Sequence, residues 1–346
     1  MTRREVVPRL DRRELLALGL SGAVLAGCAA SSAGATASRS ATSGTTTPGT
    51  VTDPSTPTTS PTAVSTSAPS TSAGGLPAEQ PWHARVGEVH PAVKARATGF
   101  VQAIGDWRPG HGGVAAAQAR VRALGLDAAL VPTMSALLGP GTAATTRIVD
   151  AQYGGILSAS ASVLVVVDQW RDVSGAVKAG GDTFDVRLIA ARPLWRVVAV
   201  HPASPGRAAA DLPQTARAVL ADRRIHLPYA ARADVASGNI HDSVLALLSA
   251  MARRWVVDVS VIRSGHPIDV FGTTRPSDHP KGRAVDVWAL DSRPLVEPVN
   301  HALAASGMRF AVAHGAYNVG GPVLLSGPQY FSNPTHQDHI HLGFNH

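Results

Sequence analysis

The sequence is poor in cysteine, lysine and aromatic residues. Its 346 residues contain one cysteine, Cys28, so the chain has neither an internal disulfide framework nor a thiolate cluster for a structural zinc ion. Three lysines stand against 28 arginines, and aromatic residues make up 5% of the chain. The formal net charge is +7, without a dense basic cluster interleaved with aromatics. We therefore expect no nucleic-acid partner.

Long hydrophobic runs are also missing. The apolar run over residues 15–27 is too short to span a bilayer and follows a basic start, which is typical of an export signal. Residues 29–78 are rich in Ser, Thr, Ala and Pro and almost uncharged, so they bury too little apolar surface to fold. We predict a signal segment over residues 1–28 and a disordered stalk over residues 29–78.

The end of the apolar run, Leu-Ala-Gly-Cys at residues 25–28, resembles the lipobox of bacterial lipoproteins. The resemblance implies that Cys28 is lipidated, and that the exported protein is anchored to the outer face of the cytoplasmic membrane, facing the cell wall. An ordinary secretory signal that contains a cysteine is the alternative.

Residues 79–204 form the first predicted folded domain. Apolar residues recur at helical spacing at Val93, Ala97, Phe100, Val101 and Ile104, and a second helical stretch runs over residues 114–138. Strands are predicted over residues 162–167, 183–189 and 195–200. This order predicts an α+β unit with a curved antiparallel sheet. It resembles the nuclear transport factor 2-like fold, which implies a non-catalytic domain, and we find no catalytic constellation in it.

Residues 205–346 form the second predicted domain. Residues 241–255 have the periodicity of an amphipathic helix, and residues 256–262 alternate as a strand with Val257, Val259 and Val261 facing one way. The predicted fold class is therefore α+β, with two domains in which helices pack on antiparallel sheets.

Two segments of the second domain carry candidate ligands. In the first, Asp286 lies on a predicted strand beside the small Ala284, and Gly282 permits a turn that brings His279 back toward it. In the second, His339 and His341 share one face of a strand. His279, Asp286 and one of these two histidines would supply three ligands and leave the fourth tetrahedral position of zinc open, as in catalytic sites. We expect one Zn²⁺ ion, with iron or manganese as alternatives.

The first segment has the pattern Ser-x-His-x-x-Gly-x-Ala-x-Asp over residues 277–286, and the second ends in His341. Together they resemble the D-alanyl-D-alanine zinc metallopeptidase and hedgehog superfamily. The resemblance covers about residues 215–346. It implies that His279, Asp286 and His341 bind zinc, and that a Glu or His shortly before the last histidine is catalytic.

Two residues compete for the role of general base. Asp338 stands where many family members have Glu, although it is one methylene shorter, and His339 matches the His-x-His members. The family's substrate-steadying Arg is replaced by Pro267, so His266 or Arg263, or else Arg275, is the candidate contact for the substrate or oxyanion. His336 is a further candidate contact.

The resemblance implies hydrolysis of peptide bonds in peptidoglycan stem peptides, by a carboxypeptidase or an endopeptidase. The alternatives are a lipoprotein that keeps the metal and binds the cell wall with weak or no catalysis, and a non-enzymatic lipoprotein whose first domain binds a partner. The expected partners are peptidoglycan peptides and, through the lipid anchor, the membrane. Any protein partner is unknown.

Overall fold

The structure is a computed structural model that describes residues 75–346. The predicted signal segment, Cys28 and the stalk up to residue 74 lie outside the described residues. All described residues belong to one compact unit. They form a mixed α/β fold with two sheets, each with a hydrophobic core of its own. Among the helices of residues 75–346, none combines the length and apolar character that a bilayer crossing requires.

The helices before the first sheet pack on one of its faces. Helix α1 (Pro91–Gly105) begins with a proline, whose fixed φ suits the first helical turn, and buries the predicted apolar stripe. The helical stretch expected over residues 114–138 is divided into α2 (Val114–Ala123) and a 3₁₀ helix (Ala128–Leu137). Gly125 separates them with φ 64°, a left-handed conformation that ends an α-helix.

The first sheet is antiparallel, with four strands in chain order: β1 (Ala143–Ile156), β2 (Ser160–Val173), β3 (Ala176–Ile189) and β4 (Arg196–Pro202). The apolar run of β2 is buried on both faces of the sheet. Val163, Val165 and Val167 belong to the core beneath α1. Leu164 and Val166 point the other way and pack against Val261 of the second sheet. This contact explains why the run does not alternate with polar residues.

The second sheet contains seven short strands, and helices lie between them along the chain. The helices are α3 (Gln214–Ala221), α4 (Tyr229–Ala236), α5 (Asp242–Ala252) and α6 (His301–Ala313). The strands are β5 (Ile225–His226), β6 (Val257–Val261), β7 (Ala284–Leu290), β8 (Arg293–Pro294), β9 (Asn318–Gly320), β10 (Tyr330–Phe331) and β11 (Ile340–Gly343). Their order is β10-β9-β11-β7-β6-β5, and β8 pairs with β7. The sheet is mixed, since β9–β10 and β5–β6 are parallel, which differs from the expected antiparallel sheet.

The two faces of the second sheet have different surroundings. Val285, Val287, Ile340 and Leu342 point into the core that includes α5 and α6. The alternate positions of the same strands point to the opposite face. Strand β6 departs from the expected alternation, because a register shift at Ser260 turns Val261 away from that core and toward the first sheet.

Candidate metal centre

His279 is held by a tight turn that depends on glycine. It opens a 3₁₀ turn (His279–Lys281), which ends at Gly282 with φ 69°. A Cβ on Gly282 would lie 2.1 Å from the carbonyl oxygen of Asn239, so both the conformation and the space require glycine. The Nδ1 atom of His279 lies 2.6 Å from the carbonyl oxygen of Ile262. Since a carbonyl only accepts hydrogen bonds, Nδ1 donates, and Nε2 keeps its lone pair for a metal.

Asp286 and His341 face each other across neighbouring strands. They are direct partners in the antiparallel pairing of β7 with β11. His341 Nδ1 lies 3.0 Å from Asp286 Oδ1 and 3.1 Å from His279 Nε2, and His279 Nε2 lies 3.2 Å from Asp286 Oδ1. Exposure is 0% for His279 and Asp286 and 7% for His341. The donor atoms of the three side chains therefore lie close together in the buried interior of the protein.

These separations fit a divalent ion. Around tetrahedral zinc, with bonds of about 2.0–2.1 Å, neighbouring ligand atoms lie about 3.3 Å apart. The three donor atoms of His279, Asp286 and His341 are 3.0–3.2 Å apart. Nitrogen and carboxylate oxygen donors suit zinc, and they also suit iron or manganese.

His266 is a further member of this cluster. With His279 and Asp286 it forms a group whose potential ligand atoms all lie within 4.8 Å of one another, which is a possible metal-binding triad. Its ring stacks on that of His279, with centroids 4.0 Å apart and planes at 17°. Its Nδ1 donates to the carbonyl oxygen of Pro267 at 2.9 Å, so Nε2 is free to accept. From the sequence, His266 was predicted as a candidate contact for the substrate or oxyanion; in the structure it packs against His279 and also lines the cavity beside the centre.

The two candidate bases are linked to each other. Asp338 and His339 lie in the turn just before β11, and His339 Nδ1 lies 2.6 Å from Asp338 Oδ1. The other nitrogen, His339 Nε2, faces the centre at 3.7 Å from Asp286 Oδ1. The Asp338 Oδ2 atom accepts a hydrogen bond from the backbone N–H of Tyr153 at 3.0 Å and forms an ion pair with Lys94 Nζ at 2.6 Å. Of the two, His339 is therefore the residue that faces the centre, and Asp338 lies behind it.

Burial and neighbouring charges set the protonation states in this cluster. Burial lowers the pKa of His266, His336 and His341, which favours the neutral imidazole that binds metals. Burial opposes ionisation of Asp338, but the Lys94 ammonium and His339 outweigh it and lower the Asp338 pKa to about 2. For His339, burial favours the neutral form, but the Asp286 and Asp338 carboxylates outweigh it and raise the pKa.

Residues of the first sheet also reach the centre. Gln152 of β1 donates from Nε2 to Asp286 Oδ2 at 2.6 Å, while its Oε1 accepts a hydrogen bond from Ser260 of β6. Gln152 and Asp286 are both fully buried. The oxygen of Asp286 that faces away from the histidines is thus fixed by a side chain from the other sheet, an arrangement typical of metal ligands. The sequence analysis found no functional residue in this part of the chain.

A cavity of about 430 Å³ opens beside the centre. One wall is the end of β1, residues 153–157, and the other contains His336, His339, His341 and Arg275. Gly155 lets the walls approach closely, because a Cβ there would lie 2.1 Å from Phe271 Cβ. A peptide bound in this cavity would contact both sheets.

Arg263 lies outside this cavity. Its guanidinium donates to the carbonyl oxygen of Pro205 at 3.2 Å and lies 3.8 Å from Asp234 Oδ1. It lines a neighbouring cavity, which His266 also borders. Of the arginines that the sequence suggested for substrate contact, Arg275 is the one that reaches the cavity beside the ligands.

Comparisons with protein family models, curated proteins and solved structures gave no match for this chain.

Proposed function

We propose that the protein is a zinc-dependent peptidase that hydrolyses peptide bonds in peptidoglycan stem peptides. The observation that carries this proposal is the convergence of His279 Nε2, Asp286 Oδ1 and His341 Nδ1 within 3.0–3.2 Å, beside an open cavity. The substrate class rests on the motif resemblance and on the export signal. We further propose that Cys28 anchors the exported protein to the outer face of the membrane.

The residues have distinct roles in this proposal. His279, Asp286 and His341 would hold the ion, which would act as a Lewis acid that lowers the pKa of water and polarises a carbonyl. His339 takes the proton of the attacking water and returns it to the leaving amine; it can be neutral beforehand because a cation held by Asp286 offsets the carboxylate charge that raises the His339 pKa. Asp338 fixes the His339 ring through Nδ1 and stabilises its protonated form, as the buried carboxylate does in a catalytic triad. Arg275 is positioned to contact a substrate carboxylate.

The test is hydrolysis of purified stem peptides by the full-length protein, followed by mass spectrometry. We expect a product whose mass identifies the bond, loss of activity with a chelator and recovery with zinc. His339→Ala should reduce kcat by about 10²–10⁴, the range for a general base. Asp338→Ala should reduce it less, because His339 remains. His83→Ala, which changes an exposed histidine, is the control. Full activity of His339→Ala would exclude this mechanism.

A second candidate function is a metal-containing lipoprotein that binds the cell wall without efficient catalysis. The position of His266 favours it, since a fourth protein ligand would close the tetrahedron and leave no place for water. In that case zinc-loaded protein would bind purified cell wall but release no peptide. Removal of His266 would then leave wall binding intact.

A further inference from the structure

A buried charge network joins the two sheets next to the candidate centre. Lys94, in the first turn of α1, is fully buried and pairs with Glu88 and with Asp338 Oδ2, the latter at 2.6 Å. The hydroxyl of Tyr153 donates to the carbonyl oxygens of Val89 and His90, at 3.0 and 3.1 Å. The backbone N–H of Tyr153 also donates to Asp338 Oδ2. Helix α1 and strand β1 therefore together hold the carboxylate of Asp338, which lies just before β11 of the second sheet.

Both carboxylate oxygens of Asp338 already have partners within the protein. Its Oδ2 atom is held by Lys94 and Tyr153, and its Oδ1 atom is held by His339 Nδ1. The hydrogen bonds therefore run in one line, from Lys94 to Asp338 to His339, whose Nε2 faces Asp286. A shift of the Asp338 carboxylate would turn the His339 ring away from the centre.

We propose that Lys94 is a positioning residue, and that the helices and sheet of residues 79–204 are an integral part of the site. The ammonium group fixes the carboxylate of Asp338, and that carboxylate fixes the orientation of His339. The effect on turnover rests on the proposed function, whereas the effect on the His339 ring does not.

The test uses the full-length double variant Lys94→Met/Glu88→Gln. It removes the ammonium together with the carboxyl of Glu88, its other partner, so that Asp338 keeps only His339 as a partner of opposite charge. The control is Arg147→Met/Asp168→Asn, which removes an ion pair at 2.5 Å between β1 and β2 that makes no hydrogen bond to Asp338 or His339. Lys94→Gln/Glu88→Gln, which keeps a neutral donor, replaces the first variant if that variant does not fold, as judged by circular dichroism.

The first readout is the proton NMR signal of the His339 Nδ1–H, assigned by its absence in His339→Gln. A charge-assisted hydrogen bond to a carboxylate places this signal far downfield. We expect the Lys94 variant to shift the signal or to broaden it through exchange with water, and the Arg147 variant to leave it in place. The proposal is overturned if the signal does not respond to loss of Lys94, or if both variants change it equally.

The second readout is hydrolysis of stem peptides by the zinc-loaded protein. We expect kcat to fall about 10–100-fold in the Lys94 variant, with KM nearly unchanged, which is the usual effect of removing a group that orients a catalytic residue. An unchanged kcat in an active enzyme would overturn the positioning role. If the wild type is inactive while the NMR signal still depends on Lys94, the proposed function fails and the positioning role stands.

Discussion

Gln152→Leu is expected to weaken zinc binding, although Gln152 is not a ligand. In the structure its Nε2 donates to Asp286 Oδ2 at 2.6 Å, with both side chains fully buried. A hydrogen bond to a charged group contributes about 1.5–3 kcal/mol. Leu cannot donate, so the carboxylate would lose the partner that orients it. Part of this energy is also lost in the metal-free protein, so the figure is an upper limit for the change in binding. At about 1.4 kcal/mol per factor of ten, the Kd for zinc should rise about 10–100-fold.

The assay is titration of metal-free, full-length protein with zinc in competition with a chromogenic chelator. Gln169→Leu is the matched control, because Gln169 is also a buried glutamine of the first sheet. It donates to the carbonyl oxygens of Gly105 and Leu137, both at 2.9 Å, and does not contact the centre. Both variants should lower the melting temperature, but only Gln152→Leu should raise the Kd. An unchanged Kd in Gln152→Leu, or an equal rise in Gln169→Leu, would refute the reasoning.

Two further predictions concern the ligand set and the pH dependence of stability. His341→Ala should raise the Kd for zinc more than His266→Ala in the same titration, because His341 Nδ1 lies 3.0 Å from Asp286 Oδ1. An equal rise in the Kd of both variants would indicate that His266 contributes as much to zinc binding as His341. Burial raises the pKa of Asp106 from 3.8 to about 6, so the folded protein keeps a proton that the unfolded chain releases near 3.8. The resulting stability is present below pH 3.8 and lost as the pH rises through 6. Asp106→Asn should therefore stabilise the protein by about 1–3 kcal/mol more at pH 8 than at pH 4 in urea unfolding, and equal effects at both pH values would contradict this.

The convergence of the candidate ligands His279, Asp286 and His341 could be predicted from the sequence because the geometry of their segments is local. Gly282 allows the turn that carries His279, and strand alternation places Asp286 and His341 on the face opposite the core. Alternation also indicated that His339 shares the face of His341, and the structure places its Nε2 toward the centre. It could not show that His266 stacks on His279, because a loop has no period from which to predict orientation.

The contribution of the first sheet could not be predicted in the same way. Strand β1 carries Gln152 among small and polar residues, and two register shifts interrupt its pairing with β2, so it has no clear period. One feature of the sequence did mark Lys94 as unusual: it adjoins the apolar stripe of α1 in a chain that has three lysines. Its partner Asp338 is 244 positions away along the chain, so neither pattern nor spacing connects the two residues.

The buried position of Lys94 is itself an argument for its role. A buried ion pair stabilises a fold little more than apolar side chains of the same volume, and replacing such pairs with apolar residues is often neutral or stabilising. Lys94 lies beside the apolar stripe of α1, where methionine would pack without desolvating a charge. If the network served only to join the two sheets, any change in turnover of Lys94→Met/Glu88→Gln should follow its change in stability. We expect instead that kcat falls by more than the change in melting temperature accounts for, because Asp338 loses the group that fixes it against His339. A fall in kcat in proportion to a fall in the melting temperature would show that the network is structural.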